Sequence, residues 1–188
     1  MEITIIRHGP SAYQENRRVT GKQFGAWISA YNAAGISATV APPRALVEKT
    51  RAVGLVVSSD LKRAIESATC LDASRLPWTS PLLREAELPA AFPTTVRLPP
   101  SVWAGLARTA WLLGWSPHTE SVQEARERAR YAAETLGKLA AEHASLLVVG
   151  HGIFNQLVVW ELRRSGWRGP RRSGRSPWAS AVYRKDAP

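Results

Sequence analysis

The stretch "IIRHGPS", residues 5–11, decides how this chain is read. Ile3, Ile5 and Ile6 form a short apolar, β-branched run of the kind a buried strand needs, and the run stops abruptly on Arg7, His8 and Gly9. The same construction returns at "LLVVGHG", residues 146–152, where an apolar strand ends on His151 and Gly152. A third run, "AVGLVVSS" at 52–59, leads into Asp60, Leu61, Lys62 and Arg63. Short apolar strands separated by helical patterns predict an α/β fold, a three-layer sandwich with a mainly parallel central sheet flanked by helices. In such open sheets ligands bind beyond the carboxyl ends of the strands. The three strand ends should therefore meet at one edge, bringing together two histidines and two arginines, with Gly9 and Gly152 letting a ligand approach the backbone.

The intervening segments carry helix signals. "KQFGAWISAYNAAG" ends on Gly35, placed as a C′ glycine. "PPRALVEKTRA" opens on two prolines, which suit a first turn. "DLKRAIESATCL" has Ser59 or Asp60 at its N-cap position. In "PPSVWAGLARTAWLLG" the spacing puts Val102, Leu106, Ala110 and Leu113 on one face, predicted to be the buried one. The longest pattern begins with a capping box, Ser121 and Glu124, and carries a stripe of Val122, Ala125, Ala129, Ala132, Leu136 and Leu139. "GIFNQLVVWELRRSG" follows His151 directly, so its N-terminal amides should also face the strand ends and favour an anion there. Residues 78–83 suggest a short strand, and 179–185 a late edge strand.

Composition bounds the function. The 188 residues suit a single domain, 1–188, and carry a formal charge of +10, from 25 basic and 15 acidic residues, which favours anionic partners. One cysteine, Cys70, excludes an intrachain disulfide and is compatible with a cytoplasmic location. No stretch reaches the roughly 18 apolar residues of a membrane span. A metal site reads poorly, since there is no H-E-x-x-H pattern and no paired histidine spacing. Cys70 lies in an apolar helical pattern and reads as a core residue; His118 and His143 read as solvent-exposed. Most of the eight tryptophans fall in helix patterns and read as packing residues, which argues against nucleic-acid binding; Trp167 and Trp178 are the exceptions, inside a Gly/Arg-rich basic loop at 163–178. That loop reads first as a solvated, flexible segment. It also fits a border of the site that attracts anionic substrates, or a nucleic-acid contact.

In order along the chain, "RHG" after the first strand, "SSDLKRAIESA" after the second and "GHG" after a late strand resemble the histidine phosphatase superfamily, the phosphoglycerate-mutase-like family. "LREAEL" at 83–88 resembles the segment that carries the family's catalytic acid, and "TESVQEARERAR" at 119–130 resembles its Glu-Ser-headed helix. The resemblance implies that His8 is a nucleophile that becomes a transient phosphohistidine. It implies that Arg7, Arg63 and His151 hold the phosphoryl oxygens, with Gly9, Ser11, Gln14 and Gly152 also at the phosphate. Glu85 would be the general acid and base, in a partly desolvated place, with Glu87 two residues on as the alternative. No cofactor and no metal is implied.

The sequence departs from the family pattern at Pro10, where Glu or Gln is frequent, and at Gln14, where Asn is usual. "AELPAAFP" replaces the segment that usually follows the acid, which points to the small, divergent phosphatase branch. The expected activity is hydrolysis of a small phosphorylated, anionic substrate such as a phosphomonoester. A phosphomutase, a phosphatase acting on phosphohistidine in a protein, and a lapsed enzyme retained as a phospho-ligand or nucleic-acid binding module are the alternatives. Oligomeric state is not legible in the sequence.

Overall fold

A computed structural model describes residues 1–186. Its main sheet has the strand order β4-β3-β6-β1-β7, where β1 is Glu2–Arg7, β3 Leu55–Ser59, β4 Trp78–Ser80, β6 Ser145–Gly150 and β7 Ser180–Arg184. The first four run parallel and β7 pairs antiparallel with β1 at the edge. A separate ribbon pairs β2 (Val19–Thr20) with β5 (Arg97–Leu98).

The register levels the strand ends. Arg7 lies opposite Gly150 and Ser58 opposite Val149, so the residues that follow β1, β3 and β6 emerge side by side. These strands are apolar on both faces because both faces are covered. On one side Ile3, Ile5, Leu146 and Val148 pack under α5 (Val122–His143) and α6 (Gly152–Arg164). On the other, Ile6, Val56, Leu147 and Val149 pack under α2 (Arg44–Ala52) and α3 (Lys62–Leu71). Each fully buried Ile or Leu contributes about 1.5–3 kcal/mol. A third, smaller cluster joins Phe24 of α1 (Gly21–Ala33) to Trp103 and Ala107 of α4 (Pro100–Leu112). It stands over the strand ends and forms the far wall of the site.

Several local expectations hold. Ser121 and Glu124 make the capping box that starts α5, and Ala125, Ala129, Ala132 and Leu136 are its buried stripe. His118 and His143 are exposed. Others are corrected. The buried face of α4 is Pro100, Trp103, Ala107 and Trp111, whereas Val102, Leu106 and Leu113 are 44%, 48% and 83% exposed. The helix is apolar on both sides, and the two aromatic rings decide which side enters the core, because they bring the most area. Leu61, not Ser59 or Asp60, stands at the N-cap of α3; Asp60 instead takes a two-pronged hydrogen bond from Arg84, at 2.7 and 2.6 Å. Gly35 is not a left-handed cap: α1 ends on extended Ala34, and a Cβ at Gly35 would strike the Glu66 carboxylate, which accepts the Ile36 N–H at 2.8 Å. Pro43 precedes α2 as its N-cap, rather than opening its first turn. Cys70 is exposed, on the outer side of α3.

The basic loop is tied down rather than solvated throughout. Trp167 and Trp178 are 4% and 6% exposed and belong to the two main apolar clusters. Gln156 holds the loop from α6, donating to the Arg171 carbonyl at 2.9 Å and accepting the Ser173 N–H at 3.3 Å. The loop then reaches the site, where Arg7 Nη1 donates to the Arg175 carbonyl.

Candidate active site

His8 leaves the end of β1 and is almost fully buried, at 3% exposure. Its Nδ1 lies 2.6 Å from the Gly9 carbonyl oxygen, and its Nε2 lies 3.3 Å from Arg63 Nε. A carbonyl can only accept and a guanidinium can only donate. The proton is therefore assigned to Nδ1 and the lone pair to Nε2. Burial, then the Arg63 charge, push this imidazole down to about 3; the Gly9 carbonyl opposes them and Arg7 adds to them. His8 is neutral at neutral pH, with its unprotonated Nε2 fixed in direction.

Arg63 is held beside it in the first turn of α3. Its guanidinium sits 4.8 Å from the centroid of the Tyr31 ring, Nη1 donates to Asn32 Oδ1 at 3.2 Å, and the residue is 1% exposed. Ser67, one turn further along α3, ties the helix to β1. Its hydroxyl donates to the Arg63 carbonyl at 2.6 Å and accepts the Gly9 N–H at 2.9 Å. That N–H is thus committed within the protein, and a Cβ at Gly9 would lie 2.5 Å from Trp178 Cζ2. Gly9 serves close packing of Trp178 rather than close approach of a ligand.

His151 is completely buried, its ring centroid 5.1 Å from that of His8. Among the described residues neither of its ring nitrogens has a hydrogen-bond partner, and Arg7 Nε is likewise buried without one. Burial first, then the charges of Arg63, Arg7 and Arg128, with any charge on His8 adding to them, hold the His151 imidazole well below its ordinary range. Unpartnered polar atoms inside a protein are costly. The Arg7 Nε–H and the single N–H of the neutral His151 lie beside the His8 ring, where a bound anion would accept from them. Gly152 follows, and a Cβ added there would meet the Arg7 guanidinium only at ordinary van der Waals distance, 3.7 Å from Nε.

Glu85 sits across from this group on the N-terminus of α6. Its Oε1 accepts from the N–H of Phe154 at 2.8 Å and of Ala86 at 3.0 Å, and Oε2 accepts from Ile153 at 3.3 Å. The free amides of a helix start explain this placement. Glu85 is half-buried and Glu87 exposed, though both border the same cavity.

That cavity, about 390 Å³, is bordered by Arg7, His8, Arg63 and Glu85 at one end and by residues of α1 and α4 at the other. Of the residues expected at the phosphate, Gly9, Ser11, Gln14, His151 and Gly152 do not line it: Ser11 bridges to Ile36 and caps the Tyr13 N–H, Gln14 is exposed, and His151 is fully buried. Sequence reasoning missed Trp27, Tyr31 and Arg108, which do line it. Arg108 stacks on Trp111, 4.6 Å from the ring, and donates from Nη2 to the Ala86 carbonyl at 2.7 Å, which steadies the segment that carries Glu85. It also missed Arg128, which binds Glu120 through two bonds of 2.6 Å and donates to the carbonyls of Leu82 and Arg84 from the other side.

A neutral imidazole with its lone pair beside two arginines, facing a carboxyl across a cavity, is equipped to accept a phosphoryl group. Residues 3–179 match the histidine phosphatase superfamily (branch 1). The chain belongs to that superfamily. Solved structures with the same fold include a mycobacterial glucosyl-3-phosphoglycerate phosphatase, 22% identical over 87% of this chain and 79% of that one, with a TM-score of 0.57. Mycobacterial hydrolase 1 is 23% identical over 96% and 89%, with a TM-score of 0.63. A mutant phosphoserine phosphatase from Entamoeba histolytica in complex with phosphoserine is 14% identical over 87% and 80%, with a TM-score of 0.56. At these identities the likeness extends to the fold. No curated protein matches the chain in sequence. Among the described residues, no helix is long and apolar enough to cross a membrane.

Proposed function

We propose that the protein is a phosphatase that hydrolyses a phosphomonoester through a phosphohistidine on His8. The observation that carries this reading is the hydrogen-bonding of His8: Nδ1–H on the Gly9 carbonyl makes Nε2 the unprotonated nitrogen, and its lone pair accepts Arg63 Nε–H at the cationic end of the cavity.

In the first step a phosphoryl oxygen takes over the Arg63 Nε–H from Nε2, whose freed lone pair attacks phosphorus as the ester P–O bond breaks, and the protonated Glu85 carboxyl gives its proton to the departing alkoxide. In the second, Glu85 carboxylate takes a proton from water while the water oxygen bonds to phosphorus and the P–N bond breaks. Inorganic phosphate leaves, and both residues return to their starting states. Phosphoryl transfer depends mainly on positioning and charge stabilisation. Arg7 and Arg63 supply fixed positive charge and His151 a neutral N–H, so the scheme needs no metal. Splitting hydrolysis across a covalent intermediate replaces one hard step with two easier ones.

The test is hydrolysis of p-nitrophenyl phosphate in EDTA by the wild type and by His8→Ala, with mass spectrometry of rapidly quenched enzyme. The expected result is EDTA-resistant turnover that His8→Ala abolishes, and an acid-labile phosphate on His8. Turnover that survives loss of His8 overturns the assignment. A wild type that binds phosphate but turns nothing over favours a lapsed enzyme.

A further inference from the structure

We propose that the alcohol on the substrate's phosphate is uncharged and apolar, and that α1 and α4 form the pocket that receives it. This rests on the phosphatase reading above, because it takes the His8 end of the cavity as the phosphoryl site.

Beyond that end the cavity is walled by Trp27, Ile28, Tyr31, Leu61, Leu88 and Ala104. The wall is preorganised. Trp27 and Tyr31 stack with centroids 5.4 Å apart, Trp27 also stacks on buried Phe24 at 6.1 Å, and its Nε1 is spent on the Glu15 carbonyl at 2.8 Å. Tyr31 faces the guanidinium of Arg63, so the aromatic wall begins next to the phosphoryl site.

Of the two arginines at this outer end, one is neutralised by a carboxylate and the other is held by a ring and a carbonyl. Arg84 is paired with Asp60 through both prongs, and Arg108 lies over Trp111 and donates to the Ala86 carbonyl. Glu87 borders the cavity with a negative charge that repels a carboxylate on the substrate. The apolar side chains outnumber the polar ones at this end, Asn32, Arg84, Glu87 and Arg108, and a preorganised wall of that kind favours an apolar ligand.

The test uses esters with equally poor, primary-alcohol leaving groups, so that intrinsic reactivity does not set the order: 2-phenylethyl phosphate, glycerol 1-phosphate and phosphoserine. The expected kcat/KM for 2-phenylethyl phosphate exceeds each of the others by about tenfold or more. Ala104→Phe, which fills the pocket, and Leu88→Ser, which makes it polar, should each lower that ratio severalfold. In a binding measurement without chemistry, 2-phenylethylphosphonate should bind about tenfold more tightly than methylphosphonate. Turnover of all three esters without preference, or preference for phosphoserine, overturns the apolar assignment while leaving the phosphatase reading intact. Absence of turnover for every ester with phosphonate selectivity retained overturns the phosphatase reading and supports the pocket.

Discussion

Asn155 Oδ1 accepts the backbone N–H of His151 at 3.2 Å, while Asn155 Nδ2 donates to the Ile6 carbonyl at 3.1 Å. One buried amide thus joins the ends of β6 and β1, the two strands that deliver the paired histidines. Asn155→Ala leaves two buried backbone groups unpaired, at roughly 1–3 kcal/mol each. Asn155→Asp keeps the acceptor for His151 but sets oxygen against the Ile6 oxygen. Both variants should unfold at lower urea concentration than the wild type. A wild-type midpoint for Asn155→Ala would show that the strand ends are held by packing alone.

The buried imidazoles make stability fall in acid. Unfolded, His8 takes up a proton at about its ordinary 6.5; folded, it does so only at about 3. Between those values the unfolded chain holds the extra proton, so stability rises with pH across that window and is lost as pH falls through it. Above 6.5 both states are neutral and the effect disappears. The slope reaches up to about 1.4 kcal/mol per pH unit for one histidine. Urea titrations at pH 5, 6 and 7 should show His8→Asn gaining relative to the wild type as pH drops. Parallel pH dependences would place the free imidazole of the folded protein near its ordinary value.

Trp178 constrains the residue next to His8. It adopts a φ of 61°, held by its N–H to the Arg7 carbonyl at 3.2 Å, and its ring occupies the space a Cβ would need at Gly9. Gly9→Ala should cost about 1–3 kcal/mol through overpacking and slow turnover by displacing the His8 ring. Trp178→Leu should recover part of the loss in the Gly9→Ala background although it is destabilising alone, a coupling that thermal denaturation of the four proteins measures. Simple additivity would mean that the two residues do not share this space.

The parts of this architecture legible in the sequence were those written locally. An apolar strand ending on Arg7-His8-Gly9 or His151-Gly152 shows its element, its boundary and its polar end in seven consecutive residues. The α5 stripe was readable because its outer face is charged, which leaves one apolar choice. In α4 both faces are apolar, and only contact with Phe24, 79 residues earlier in the sequence, selects Trp103 over Val102. Trp27, Tyr31 and Arg108 carry no motif and reach the cavity only because α1 packs on α4. The basic loop looked solvated because arginine dominates its composition, yet Trp167 and Trp178 anchor it in the two main clusters.

The proton donor can be separated from its neighbour by leaving group. Glu85 is bonded to the Phe154, Ala86 and Ile153 amides at the mouth of α6, whereas Glu87 is exposed on the cavity rim. General acid catalysis contributes about 10²–10⁴-fold, and it matters most when the alcohol leaves poorly. Glu85→Gln should therefore slow an alkyl phosphate by about that factor but p-nitrophenyl phosphate much less in its first step, since nitrophenolate leaves without a proton. A burst of nitrophenolate followed by slow turnover should accompany the variant, because dephosphorylation of His8 still needs a base. Glu87→Gln should change both substrates less than about threefold, as befits an exposed residue. The reverse pattern, with the burst in Glu87→Gln and little change in Glu85→Gln, would make Glu87 the acid and leave Glu85 as a cap on α6.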